Sequence, residues 1–142
     1  MNSTQNYAGD ISPVDAWNIL KEDANAQLVD CRTDAEFMFV GLCDLSPLGK
    51  QPATIPWKNF PDMDANPNFI EQVKAIQPNP TNAVLFICRS GQRSRDAAIA
   101  LTEAGFSQCY NVAGGFEGDC DQAKHRGTVN GWKFADLPWV QR

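Results

Sequence analysis

The chain has 142 residues and a mass of 15.7 kDa, a size typical of one domain that buries its own hydrophobic core. Hydrophobic residues make up 43% of it and charged residues 20%, so a disordered chain is not expected. The formal net charge of -5 argues against nucleic acid as the main partner, because binding to phosphates needs a basic face.

The N-terminal sequence and the cysteines bear on the compartment. The opening MNSTQNYAGD lacks the basic and apolar regions of an export signal, and no run of about eighteen apolar residues follows. The five cysteines form an odd set without C-x-x-C spacing, which is typical of reduced thiols rather than of a disulfide framework. The sequence therefore predicts a cytoplasmic protein without a membrane partner.

Helix and strand signals alternate in the first half of the chain. Ser12 can cap a helix over about 13–23 that begins with proline. A β-prone run follows at 27–31, and Thr33 can cap the brief helix after it. A proline-rich stretch at about 44–67 is then expected to be mostly loop, with a short strand possible at its centre.

The second half has a clearer pattern. A helix is predicted at about 68–76, and the apolar run 83–87 is typical of a central parallel strand that is buried on both faces. Residues 94–104 repeat at helical spacing, and 108–112 is predicted to be the next strand. Together these elements indicate a parallel sheet with helices on both sides. The tail from about 118 to 142 is expected to be an irregular extension of the same domain.

The motif CRSGQRS, from Cys88 to Ser94, places a thiol and two arginines at the end of the central strand, just before a helix. Ligands of open α/β sheets sit outside the carboxyl ends of the strands. Backbone N–H groups of the turn 90–92 and of the first helical turn can converge on an anion there. Their field, together with Arg89 and Arg93, is expected to lower the pKa of the Cys88 thiol.

The spacing between the cysteine and the arginine separates two classes of catalytic loop. Cysteine-dependent phosphatases carry C-x5-R, in a loop wide enough to surround a phosphoryl group. In this chain the arginine comes one residue earlier, because Arg93 follows Cys88 with four residues between them and Ser94 occupies the phosphatase position. The chain resembles the rhodanese (thiosulfate sulfurtransferase) family, whose shorter loop cradles a single sulfur atom.

Two further elements carry the resemblance, in the family's order. The segment LVDCR at 28–32, followed by Glu36-Phe37, is similar to a strand–helix element of the family, and NVAGGF at 111–116 is similar to its last strand and double-glycine turn. Cys31 stands where an aliphatic residue is usual, and we interpret it as a neutral change in the core. The resemblance implies a single rhodanese-like domain over 1–142, a three-layer α/β fold with a mostly parallel sheet of about five strands.

The resemblance also implies a mechanism. Cys88 would take a sulfane sulfur from thiosulfate or a similar anionic donor as a persulfide, and a thiol or cyanide would accept it. Arg89 would bind the donor, while Arg93 and the N–H groups of the loop would hold the negative sulfur. The implied substrate-binding loop comprises Arg89, Ser90, Gly91, Gln92, Arg93 and Ser94. No cofactor is required, and the acceptor cannot be identified from the sequence.

Asp30 and Arg32 have two interpretations each. Asp30 either pairs with Arg93 or Arg32 and supports the loop, or it caps the next helix. We expect Arg32 and Glu36 to form an i,i+4 pair on the surface, although Arg32 is also a candidate support of the loop.

The other reactive side chains are expected to be inert. His125 is the only histidine and lies in the tail, and Cys120 with His125 makes only half of a metal site, so no metal is expected. Cys109 and Cys120 are candidates for a resolving thiol of Cys88, but they are interpreted as buried, inert thiols. The alternatives to a sulfurtransferase are a non-catalytic rhodanese-like binding module and, less favoured by the spacing, a cysteine phosphatase or arsenate reductase.

Overall fold

The computed structural model describes residues 7–59 and 62–141. The strands among these residues are β1 Gly9–Ile11, β2 Gln27–Asp30, β3 Leu42–Cys43, β4 Ala53–Thr54, β5 Lys58–Asn59, β6 Asp64–Ala65, β7 Val84–Ile87, β8 Cys109–Val112 and β9 Trp139–Val140. The helices are α1 Pro13–Glu22, α2 Asp34–Phe39, α3 Phe69–Ile76 and α4 Gln92–Glu103, and Ser46–Leu48 form a 3-10 turn. None of these helices is long and apolar enough to cross a membrane.

Five strands form the central sheet in the order β1-β8-β7-β2-β4, and every neighbouring pair is parallel. This confirms the expected α/β architecture. Strand β7 lies in the middle and all four of its residues are buried, because it has a strand on each side and packed side chains on both faces. Cys88 directly follows the last residue of β7, so it lies at the edge of the sheet where the loop begins.

The alternation of side chains along the strands divides the core into two layers. Val84 and Phe86 lie on one face and pack with residues of α3 and α4. Leu85 and Ile87 lie on the other face and pack with residues of α1 and with Trp132 of the tail. Helices therefore cover one face, and α1 together with the C-terminal segment covers the other.

Helix α4 begins two residues earlier than the spacing predicted, at Gln92 instead of Ser94. Gly91 caps it with a φ of 111°, a left-handed conformation that glycine adopts without steric cost. The first turn of α4 therefore belongs to the CRSGQRS loop itself. This places the backbone donors of that turn beside Cys88.

The C-terminal segment packs around Trp132, whose side chain is fully buried. The backbone N–H of Trp132 donates to the Gly115 carbonyl at 2.8 Å, which ties the segment to the double-glycine turn. Further along, the Asp121 carboxylate accepts the N–H groups of Ala123 and His125. These two N–H groups are therefore bonded to a side chain and not to the backbone carbonyls of a helix.

Candidate active site

The Cys88 sulfur lies where backbone donors of the loop converge. Its Sγ accepts the N–H of Gly91 at 3.2 Å and the N–H of Ser94 at 3.3 Å. Both N–H groups belong to the start of α4, where they have no partner within the helix and where the helix dipole favours a negative charge. The residue is 1% exposed, so the sulfur is held in a nearly dry environment.

A chain of polar side chains leads from the sulfur towards β1. Ser94 Oγ lies 3.2 Å from Cys88 Sγ and donates to Asn111 Oδ1 at 2.5 Å. Asn111 Nδ2 in turn donates to Asp10 Oδ1 at 2.9 Å, which fixes the orientation of the amide. Because a hydroxyl has one proton, Ser94 can donate either to Asn111 or to an ionised Cys88, but not to both.

Cys31 is another side chain beside Cys88 that the sequence did not assign to the site. Its Sγ donates to the Ile87 carbonyl oxygen at 3.3 Å, and the Cys88 sulfur lies close enough to act as an alternative acceptor. The single proton of Cys31 therefore has two acceptors, of which an ionised Cys88 is the stronger. The view of Cys31 as a neutral change in the core is wrong, because its side chain touches the candidate nucleophile.

These contacts account for the acidity of Cys88. The hydrogen bond from Cys31 is the largest influence, and burial opposes it; bonds from Ser94 and Gly91 help to lower the pKa from 9.0 to about 5. Burial instead raises the pKa of Cys31 well above its ordinary value. These contacts favour the thiolate of Cys88 at neutral pH; neutral donors are its main stabilising partners, and the charge of Arg93 also interacts with it.

Arg93 forms an ion pair with α2. Its Nη1 and Nη2 donate to Glu36 Oε1 and Oε2 at 2.7 and 3.0 Å, in the two-point geometry that suits a guanidinium and a carboxylate. Although burial acts in the opposite direction, the bonds from Arg93 and Thr33 lower the pKa of Glu36 to about 2. The expected Arg32–Glu36 surface pair is wrong, because Arg32 precedes the first residue of α2 and helical spacing does not apply to it.

Arg32 pairs with Asp30 in the interior. The two side chains are fully buried, with Nη2 to Oδ2 at 2.7 Å, and Nη2 also donates to the Gly41 carbonyl at 2.6 Å. The guanidinium lies 4.4 Å from the centre of the Phe116 ring, a cation–π contact. Of the open alternatives for Asp30, pairing with Arg32 is observed, whereas the cap of α2 is Thr33.

The double-glycine turn holds the loop from the other side. The N–H of Phe116 donates to the Cys88 carbonyl at 2.7 Å, and those of Glu117 and Gly118 donate to the Arg89 carbonyl. Gly115 has a φ of 64°, and a Cβ built on it would lie 2.6 Å from the carbonyl carbon of Arg89. A side chain at this position would push the turn away from the loop, which explains the glycine.

The remaining loop residues face solvent or a cavity. Arg89 is exposed and forms no ion pair within residues 7–59 and 62–141. Ser90, Gly91 and Gln92 line a polar cavity of about 290 Å³ that is also lined by Asp10 and Asn111. The cavity gives small polar molecules space beside the loop.

Residues outside the loop complete the comparison with the sequence predictions. Cys109 is buried as expected, but Cys120 is exposed, so the interpretation of Cys120 as a buried thiol is wrong. His125 is exposed as well, and the part of the chain that the structure describes contains no group of three or more side chains placed to hold a metal.

Known proteins resemble this chain in both sequence and fold. Residues 8–142 match the family model described as "STR4 middle domain". The crystal structure of Rv0390 from M. tuberculosis superposes with a TM-score of 0.87 and 44% identity, covering 96% of this chain and 99% of that one. "Uncharacterized protein RP600" from Rickettsia prowazekii is 37% identical over 125 residues, which are 87% of this chain and 90% of the relative.

A third relative carries an activity in its name. "Thiosulfate sulfurtransferase GlpE" from Actinobacillus pleuropneumoniae is 29% identical over 109 residues, which are 77% of this chain and 83% of that protein. The match to the family model spans almost the whole chain, and the parallel sheet and the loop fit the same group. The chain therefore belongs to the STR4 middle domain family of rhodanese-like proteins, a group whose members include sulfurtransferases.

Proposed function

We propose that this protein is a sulfurtransferase that carries a sulfane sulfur as a persulfide on Cys88. The observation that carries the proposal is the Cys88 sulfur itself, which lies at the start of α4 and accepts the N–H groups of Gly91 and Ser94. A thiolate held in this way needs no general base, because it is already the nucleophile. The relative named thiosulfate sulfurtransferase supports the same assignment.

The reaction has two steps. The Cys88 thiolate attacks the outer sulfur of thiosulfate or of a similar anionic donor; a sulfur–sulfur bond forms to Cys88, and sulfite leaves with the electron pair of the broken bond. A thiol or cyanide then attacks the outer sulfur of the persulfide, and the Cys88 thiolate is regenerated. Between the two steps, backbone N–H groups of the loop can stabilise the negative outer sulfur.

The two arginines of the loop have different parts in this proposal. Arg89 is exposed beside the nucleophile, so its charge is available to attract an anionic donor. Arg93 is bound to Glu36 and is proposed to brace the loop against α2 while it adds positive potential near the sulfur. Asp30 and Arg32 are proposed to support the end of the neighbouring strand from within the core.

The test is incubation of the reduced protein with thiosulfate, followed by intact mass measurement and by thiocyanate formation on addition of cyanide. We expect Cys88→Ser to abolish both signals, whereas Cys109→Ser, which alters a buried thiol on the next strand, leaves them unchanged. Arg89→Ala should raise KM for thiosulfate and leave the free energy of unfolding unchanged. Thiocyanate production that persists in Cys88→Ser would refute the assignment.

A further inference from the structure

Cys31 and Cys88 occupy corresponding positions on paired strands. Strands β2 and β7 are parallel with Asp30 opposite Ile87, and the Cys31 N–H donates to the Ile87 carbonyl at 2.9 Å, so the next pair in register is Cys31 and Cys88. Paired strands lie about 4.7–4.9 Å apart, which falls within the Cα separation of about 4.4–6.8 Å that a disulfide requires. The backbone spacing therefore permits a bond between the two sulfurs.

The side chains also share one face of the sheet. Both cysteines belong to the core layer under α3 and α4, and the two thiols are close enough to influence each other's pKa. Cys31 is 0% exposed and lies in the core beside Cys88, so Cys88 is the reactive group that it meets in the folded protein. Its reaction partner within the described core is the sulfur of Cys88.

We infer that Cys31 is a resolving thiol, which attacks the inner sulfur of persulfidated Cys88 and releases the outer sulfur as hydrosulfide. The inference rests on the proposed function, because it needs the persulfide. It adds an activity to sulfur transfer: reduction of a sulfane sulfur to sulfide inside the protein. An acceptor thiol and Cys31 then compete for the same intermediate.

The step balances without an external oxidant. A bond forms between the sulfurs of Cys31 and Cys88, and the bond between Cys88 and the outer sulfur breaks. The proton of the Cys31 thiol moves to the outer sulfur, which leaves as hydrosulfide. The sulfane sulfur is reduced and the two cysteines are oxidised to a disulfide, which a dithiol reductant must reopen before the next cycle.

Burial of Cys31 fits this chemistry. Because burial raises the pKa of Cys31, this residue brings its own proton to the reaction, and the anionic persulfide can receive it. Without a persulfide, the same thiol donates to the Ile87 carbonyl and helps to lower the pKa of Cys88. The contact that makes Cys88 acidic is thus also the contact that brings the second thiol within reach.

The experiment uses the full chain with Cys120→Ser, which removes an exposed thiol that could pair between molecules. The reduced protein, freed of reductant, is mixed with one equivalent of thiosulfate, and sulfide, intact mass and linked peptides are measured. We expect about one equivalent of sulfide, a loss of two hydrogens and a peptide linked through Cys31 and Cys88. Cys31→Val should release no sulfide and retain one added sulfur on Cys88.

Two further variants separate chemistry from folding. Cys31→Ser repeats the test if valine does not fit the core, and Cys109→Ser, another buried cysteine, should release sulfide as the parent does. The inference is overturned if the parent keeps the added sulfur as stably as Cys31→Val, or if the sulfur is found on Cys31.

Oxidation with hydrogen peroxide distinguishes a failure of the resolving role of Cys31 from a failure of the proposed function. One equivalent of hydrogen peroxide oxidises the Cys88 thiolate to the sulfenic acid, and Cys31 displaces water to give the same disulfide. If no variant takes up sulfur but peroxide links Cys31 to Cys88, the sulfurtransferase proposal fails and the pair stands as reactive. If peroxide gives no linked peptide and thiosulfate gives a stable persulfide, the resolving role fails alone.

Discussion

The acidity of Cys88 should be visible in the stability of the protein as well as in its reactivity. Folding moves the pKa of this thiol from 9.0 to about 5. Between these values an unfolded chain binds a proton that the native protein does not, so the free energy of unfolding rises with pH across the window. The contribution is complete above about pH 9 and is lost as the pH falls through about 5.

The size of the effect follows from the same values. The difference between 9.0 and about 5 is roughly four pKa units, which at about 1.36 kcal/mol per unit is on the order of 5 kcal/mol. At pH 7, about two units above the native pKa, roughly half of this contribution is present. We therefore expect the stability difference between the protein and Cys88→Ala to grow by about 2 kcal/mol from pH 5 to pH 7.

Urea unfolding under reducing conditions at pH 5, 7 and 9 measures this difference, and thiolate absorbance titrated against pH gives the pKa directly. Cys109→Ala is the matched control, because burial raises the pKa of Cys109 to about 11 and its stability difference should stay flat between pH 5 and pH 7. A stability difference for Cys88→Ala that does not change with pH would refute the assignment of a depressed pKa to Cys88.

Two other substitutions test the supports of the loop. Gly115→Ala should lower the melting temperature and slow alkylation of the Cys88 thiol, because its Cβ would meet the loop backbone. Gly49→Ala, at a similar φ of 70° with open space around it, should cost only about 1–2 kcal/mol of stability. Glu36→Gln should cost about 2 kcal/mol in urea unfolding, since it weakens the two-point bond to Arg93. Glu71→Gln, which weakens the exposed pair with Lys74, should change stability by less than about 0.5 kcal/mol. Equal losses of stability in Glu36→Gln and Glu71→Gln would contradict the proposal that Arg93 and Glu36 brace the loop.

Elements with local signals were predicted well from the sequence. Helix α1 has its cap at Ser12 and a proline at its first position, and β7 is a continuous apolar run, so neither needs a distant partner to be recognised. Strand β1 was missed because Gly9–Ile11 is short and has no repeating pattern. It exists through its pairing with β8, about a hundred residues later in the chain, which no local window contains.

The same limit applies to the site. The position of Cys88 at a strand end follows from one apolar run and one motif, and the structure places it there. The partners of the loop come from other segments: Glu36 lies 57 residues before Arg93 in the sequence, and Asn111 lies 17 residues after Ser94. The sequence could suggest that Arg93 needs a carboxylate partner, but it could not identify that partner as Glu36.

Charge counting identified only a minor cause of the acidity of Cys88. The two arginines of CRSGQRS are the visible feature of the motif, yet Arg93 is engaged by Glu36 and Arg89 is exposed. The sulfur is stabilised instead by short-range donors, among them a thiol that looks like an ordinary core residue in the sequence. Short hydrogen bonds in a dry site act strongly on one atom, whereas an exposed charge is screened by water. Exposed Arg89 is thus better suited to attracting an anionic donor than to ionising the thiol that receives its sulfur.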